Sequence, residues 1–299
     1  MQILLLGKDG QLGRELQRSL APLCELTAWG RVECDLSQTK SLYAKVVAAK
    51  PDVIVNAAAY TAVDKAESEP LLAHAINAVA PAVLAQATLD MSCRLIHYST
   101  DYVFNGSGST PWLEDSPTAP LNVYGKTKLA GEQAIAASGC NHLIFRTSWV
   151  YAKEGGNFAK TMLRLACERD SLSVIDDQMG APTDAAWLAD MTAQVIGSSA
   201  SGIFHAASAG EVSWHGYASY LIAKARQMGF PIKVSPDAIR AVASEAFPTP
   251  AQRPRNSRLD CSKLERTFGI APPPWQQGID QLLNHLHPHP SPLPSRERG

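Results

Sequence analysis

The stretch LLLGKDGQLG, Leu4–Gly13, decides the fold. A short apolar run ends in a loop with glycine at 7, 10 and 13. The residues that follow, QLGRELQRSLAP, set Leu12, Leu16 and Leu20 on one helical stripe. A strand that feeds a glycine turn and then a helix can hold a pyrophosphate against backbone N–H groups and a helix N-terminus. The spacing is G-x-x-G-x-x-G, offset from the G-x-G-x-x-G dinucleotide fingerprint. The pattern alone is weak, and the strand-before, helix-after context gives it weight. The bland alternative is a glycine turn with no ligand. On the nucleotide reading, Gly7, Gly10 and Gly13 form the cradle.

The alternation continues outward from that unit. ELTAW, DVIVNAAA, RLIHYST and HLIFRTSWV read as strands. TKSLYAKVVAAK, ESEPLLAHAINAVAPAVLAQATLDM and YGKTKLAGEQAIAASG between them read as helices. This order predicts an α/β fold, a Rossmann-type doubly wound parallel sheet with helices on both faces. Beyond about Trp149 the pattern loosens, and a smaller C-terminal α/β substrate lobe is expected. The expected division is a dinucleotide-binding part at 1–147 and 168–221, a substrate lobe at 148–167 and 222–286, and a disordered proline-rich tail at 287–299.

Bulk properties exclude several classes. The chain has 299 residues, 45% hydrophobic and 18% charged, with a net charge of −1. That balance allows a large core and gives no basic excess for nucleic acid or an anionic membrane. The apolar start before Gly7 is too short for a signal peptide. The six cysteines are scattered without a C-x-x-C pair, which argues for reduced thiols in a cytoplasmic protein. His287 and His289 alternate with prolines in the tail and read as incidental, not as metal ligands.

Two further stretches carry chemistry. After the second strand the chain reads Trp29-Gly30-Arg31, with no carboxylate where NAD sites usually bond the ribose hydroxyls. Arg31 can pair with a 2′-phosphate, which favours NADPH, or can be plain surface charge. Asp35 and Leu36 follow, placed for the adenine end. In YGKTK, Tyr124 and Lys128 are one helical turn apart. An ammonium beside a phenol favours the phenolate, so the pair can act as an acid tuned toward neutral pH. HYSTDYVF ends a strand with Thr100, whose hydroxyl can bond a carbonyl oxygen or its developing alkoxide.

Glycine loop, NAAA strand end, Ser-Thr strand end and Y-x-x-x-K in this order resemble the extended short-chain dehydrogenase/reductase superfamily. VNAAAYTAVDKAESEP, HYSTDYVFNG, APLNVYGKTKLAGE, FRTSWVYA, NFAKTML, DQMGAPT and RPRNSRL resemble, nearly end to end, the dTDP-4-dehydrorhamnose reductase family. The resemblance implies reduction of a 4-keto nucleotide sugar by NADPH, with NADH use left open. It implies Tyr124 as proton donor, Lys128 on the nicotinamide ribose, and Thr100 and Asp101 on the sugar, with Trp149 and Val63 beside it. Gly10, Gln11 and Leu12 would meet the pyrophosphate, and Asp35 and Leu36 the adenosine. Ala59, Tyr60, Thr61 and Tyr98 would meet the rest of the cofactor.

Arg253 and Arg255 are either diphosphate partners or a solvated basic loop. Asn157 and Phe158 are either substrate contacts or a helix cap and a core residue. Some relatives of that family are dimers bridged by Mg²⁺ through glutamates. The aligned positions here are Ala186 and His285, neither a hard oxygen ligand, so no metal is expected and a homodimer stays open. The partner expected is the nucleotide-sugar substrate. The rival readings are a nucleotide-sugar epimerase or dehydratase that recycles NAD, and a non-catalytic subunit similar to the regulatory subunit of methionine adenosyltransferase.

Overall fold

A computed structural model describes residues 1–287. From 288 on, the expected tail lies outside the described residues. β1 (Gln2–Leu6), β2 (Glu25–Trp29), β3 (Val53–Asn56), β4 (Arg94–Thr100) and β5 (His142–Thr147) form one sheet with the edge strand Gly202–His205. The order is Gly202–His205, β5, β4, β3, β1, β2, and every pairing is parallel. The near-continuous apolar runs follow from this, because both faces of a parallel sheet are covered. Ile3, Leu5, Val53, Val55 and Ile96 pack on one face with Leu16 and Leu20 of α1 (Gln11–Leu20). Leu4, Leu6, Ile54, Leu95 and Ile144 pack on the other with Leu42 and Val46 of α2 (Thr39–Ala49).

From β1 the chain goes to β2 on one side, and β3 returns on the other side of β1. Strand order therefore reverses between β1 and β3, and a crevice opens beyond their C-terminal ends. The strand expected over DVIVNAAA stops at Asn56, whose Oδ1 accepts from Ala58 N at 3.2 Å and turns the three alanines into a loop.

The helix from Pro70 to Asp90 is long and apolar enough to cross a membrane, with mean hydropathy 1.4. Its Ala80, Leu84, Ala85 and Ala87 are core residues of the sheet's second face, which accounts for that composition. The segment Ala75–Val79 within it is a π turn. Pro81 follows and has no N–H to give the Asn77 carbonyl, so the ladder loosens at this point. The helix Val123–Ser138 closes on the loosened turn: a Cβ on its Gly131 would lie 2.2 Å from Asn77 O.

A second set of clusters belongs to the lobe. Leu163, Tyr217, Leu221, Trp275 and Ile279 pack together. Within 168–221, expected with the dinucleotide part, the packing is mixed. Leu172–Ile175 pairs with Ile239–Val242, not with the main sheet, and Trp214–Gln227 packs on Phe158–Glu168. Ala185–Val195, which packs on α1, and the edge strand side with the six-stranded sheet.

Candidate active site

The glycine loop is fixed by close backbone approach. Gly7 has φ +87°, and a Cβ there would lie 2.7 Å from Ala58 N. A Cβ on Gly13 would lie 2.0 Å from Gly7 O. Loop, helix and β3 end thus meet backbone to backbone, which no side chain permits. Gly10 opens α1 with extended backbone and no side-chain cap, leaving the helix N-terminus available to an anion.

A cavity of about 730 Å³ lies over the C-terminal ends of the strands. It gathers Gly7, Gly10, Gln11 and Leu12 with Arg31, Asp35 and Leu36 beyond β2, and Ala59, Tyr60, Thr61 and Val63 beyond β3. Tyr98, Thr100 and Asp101 reach it from β4, Tyr124 and Lys128 from the helix Val123–Ser138, and Trp149 from beyond β5. Gly13, Asn157 and Arg253 do not line it. Gly13 supports the loop from behind. Asn157 caps Phe158–Glu168 through Lys160 N, and its Nδ2 donates to Ala152 O at 2.7 Å. Arg253 is held by Asp64 at 2.7 Å, and Arg255 by Glu245 at 2.7 Å. Asn157 thus serves as a helix cap, and both arginines carry carboxylate partners.

The helix carrying Tyr124 and Lys128 begins at Asn122, whose side chain accepts from Gly125 N at 2.8 Å. Farther along, Glu132 takes both sides of the Arg146 guanidinium from β5, at 3.0 and 2.7 Å, with both side chains buried. That fork fixes the helix against the sheet. Tyr124 stands edge-on to Tyr102, ring centroids 5.6 Å apart. Burial pushes its phenol up to about 12, opposed by a hydrogen bond with Thr100 and reinforced by Asp101.

Lys128, expected to tune Tyr124, turns its side chain toward β4. Lys128 is fully buried, donates from Nζ to Tyr98 O at 2.6 Å and meets His97 Nε2 at 3.2 Å. Helical spacing brings the two residues to one face, but the lysine chain reaches across to β4. Burial lowers its ammonium to about 8, with Glu132 opposing, while the phenol rises.

Three polar atoms on the wall are buried without a protein partner: Ser99 Oγ, Asp101 Oδ2 and Thr147 Oγ1. Buried polar groups are normally paired, so these suit a polar ligand. Asp101 Oδ1 accepts from Thr100 Oγ1 at 3.0 Å, and burial raises its carboxyl to about 7, opposed by Ser257 and Thr100. Trp149 has φ +48° and stacks on Trp214 at 3.7 Å, so two indoles form an apolar wall. Arg31 is exposed, 3.4 Å from Asp35, and Leu36 is buried.

Sequence reasoning missed Asp9, Trp214, Thr147 and Ser148, all on the cavity wall. Trp214 starts a helix in the lobe, and no local pattern aims it at a distant strand end. Asp9 was visible as an acid inside the glycine loop. Among the described residues no group of three or more His, Cys, Asp or Glu is disposed to hold a metal. Ala186 and His285 border a separate cavity of about 260 Å³ with Glu15, Asp184 and Asp190.

The glycine cradle, the uncapped helix end and the orphaned polar atoms together fit a dinucleotide and a polar second ligand. A family profile described as RmlD substrate binding domain matches residues 1–287. A dTDP-4-dehydrorhamnose reductase of Shigella flexneri is 51% identical over 295 residues, covering 96% of this chain and 98% of that protein. The chain belongs to the dTDP-4-dehydrorhamnose reductase family. It is therefore an NAD(P)H-dependent oxidoreductase. The Escherichia coli K12 member is 50% identical, with the same coverage. Among solved dTDP-4-dehydrorhamnose reductases, that of Clostridium acetobutylicum has TM-score 0.89 at 36% identity, covering 96% of this chain and 99% of that one. That of Bacillus anthracis, crystallised in complex with NADP, has TM-score 0.89 at 34% identity, covering 95% and 99%.

Proposed function

We propose that the chain reduces the 4-keto group of dTDP-4-dehydro-β-L-rhamnose to give dTDP-L-rhamnose, using NADPH and accepting NADH, with Tyr124 as proton donor. The observation that carries this is the meeting of Tyr124, Thr100 and the buried Asp101 on the wall of the cavity that the glycine loop closes. The NADP complex of the Bacillus anthracis relative supports the cofactor.

The bound dinucleotide supplies the hydride that forms the new C–H bond. Gly7, Gly10, Gln11 and Leu12 would hold its pyrophosphate, and Arg31, Asp35 and Leu36 its adenosine half. Ala59, Tyr60, Thr61, Tyr98 and Lys128 would line the remainder. At the sugar, Tyr124 gives its proton to the ketone oxygen, so the new O–H bond forms as the phenol O–H breaks. Thr100 turns its single O–H from Asp101 to the same oxygen as charge grows on it. A phenol held near 12 is loaded with its proton at neutral pH, and positive charge from Lys128 eases its release. Val63, Asp101 and Trp149 position the sugar, and Trp214 extends that wall. The lobe that contains 148–167 and 222–286 is read as the nucleotide-sugar side, and the six-stranded sheet as the dinucleotide side.

The test is to supply the 4-keto sugar nucleotide from its upstream enzymes and follow NADPH absorbance. Stoichiometric oxidation with formation of the 4-hydroxy sugar is expected. No oxidation, or turnover without net cofactor consumption, overturns the proposal.

A further inference from the structure

The end of β2 lacks the acid that NAD-binding sheets usually place there, and the position is Gly30. Another residue fills the space. A Cβ on Gly30 would stand 2.0 Å from Asp9 Oδ2 and 3.1 Å from its Cγ. Asp9 therefore brings a carboxylate from the glycine loop to the point where a side chain at 30 would begin. Both residues line the dinucleotide cavity.

Asp9 is exposed, and among the described residues no group donates to its carboxylate. Arg14 Nε reaches only its main-chain oxygen, at 3.1 Å. The other nearby acid, Glu33, is engaged. It accepts from Gly30 N at 2.8 Å and pairs with Lys8, and it is not on the cavity wall. Glu33 is thus structural and Asp9 is free. Across the same rim stands Arg31, exposed and held only by Asp35 at 3.4 Å.

We propose that Asp9 reads the adenosine ribose in place of the missing β2 acid, and that it opposes Arg31 in setting the dinucleotide preference. The carboxylate accepts from the 2′- and 3′-hydroxyls of NADH and repels the 2′-phosphate of NADPH, while the guanidinium attracts that phosphate. This rests on the reading of the cavity as a nicotinamide-dinucleotide site, and it assigns the discrimination to a pair contributed by two loops.

Direct titration of the purified chain with NADPH and with NADH, by dihydronicotinamide fluorescence without sugar, tests it. Asp9→Asn should shift the affinity ratio toward NADPH by about 5- to 10-fold, the scale of one partly screened charge, and less at high salt. Arg31→Ala should shift the ratio the other way. The swap Asp9→Gly with Gly30→Asp should return it to within about twofold of the parent, since the acid is restored to the same place. A ratio unmoved by Asp9→Asn overturns the assignment, as does a chain that binds neither dinucleotide. If the ratio moves but no ketose is reduced, the substrate reading fails and Asp9 keeps its role. If the ketose is reduced and the ratio does not move, Asp9 alone is wrong.

Discussion

Lys128 Nζ donates to the main-chain oxygen of Tyr98 at 2.6 Å, so the ammonium is tied to the strand that ends in Thr100. The lysine is fully buried beside a neutral-leaning histidine, His97, whose ring is held well below its usual range by burial and by Lys128 itself. A charge placed this way is easily lost.

Turnover should therefore fall as pH rises through about 8, where Lys128 loses its proton. Stability should move the other way. The folded value lies below the ordinary 10.5, so burying the ammonium costs stability below about 8, and that cost lifts between about 8 and 10.5. Rate profiles and urea midpoints across that window check both signs, and Lys128→Met should flatten the stability difference.

Asp101 gives the mirror case. Its folded carboxyl is raised from 3.8 to about 7, so the native state binds more protons between those values and stability falls as pH rises through them. Asp101→Asn should remove that slope and raise stability above pH 7, by an amount on the order of a few kcal/mol. Denaturant melts of parent and variant at acidic and alkaline pH measure it. If Asp101 also holds the sugar, KM should rise in the same variant.

Tyr124→Phe should lower kcat by about 10²- to 10⁴-fold, the usual worth of a positioned general acid. Dinucleotide affinity should stay within about twofold, because the ring and its edge contact with Tyr102 remain. Single-turnover rates with a fluorescence titration separate the two effects.

The Glu132–Arg146 fork holds the helix that presents Tyr124 and Lys128. Glu132→Ala leaves a buried guanidinium with only the Glu114 carbonyl, 3.1 Å away. Destabilisation of about 3–5 kcal/mol is expected. Unchanged urea midpoints would remove the fork from the account of how the site is held.

Much of this was legible in the residues. Glycine spacing, apolar runs and Y-x-x-x-K are local patterns, and their structural positions follow from helix and strand geometry. What stayed hidden depends on contacts between distant segments. Nothing near Lys128 in the chain says that its ammonium will find Tyr98 O, since i,i+4 spacing places Cβ atoms and not the ends of flexible side chains. The partners of Arg253 and Asn157, Asp64 and Ala152, are likewise brought near by tertiary packing. The pairing of Leu172–Ile175 with Ile239–Val242 was hidden for the same reason, since it spans more than sixty positions.

The π turn at Ala75–Val79 accommodates one additional residue in a continuous helix, which advances everything after it by about 100°. The turn itself points Asn77 at Tyr60 and Thr127, and the part after it keeps Leu84 and Ala87 inward. Excising a single residue there would rotate one half against the other, trading the Asn77 hydrogen bonds for exposed leucine. The helix is thus a vernier whose two scales agree at one length only.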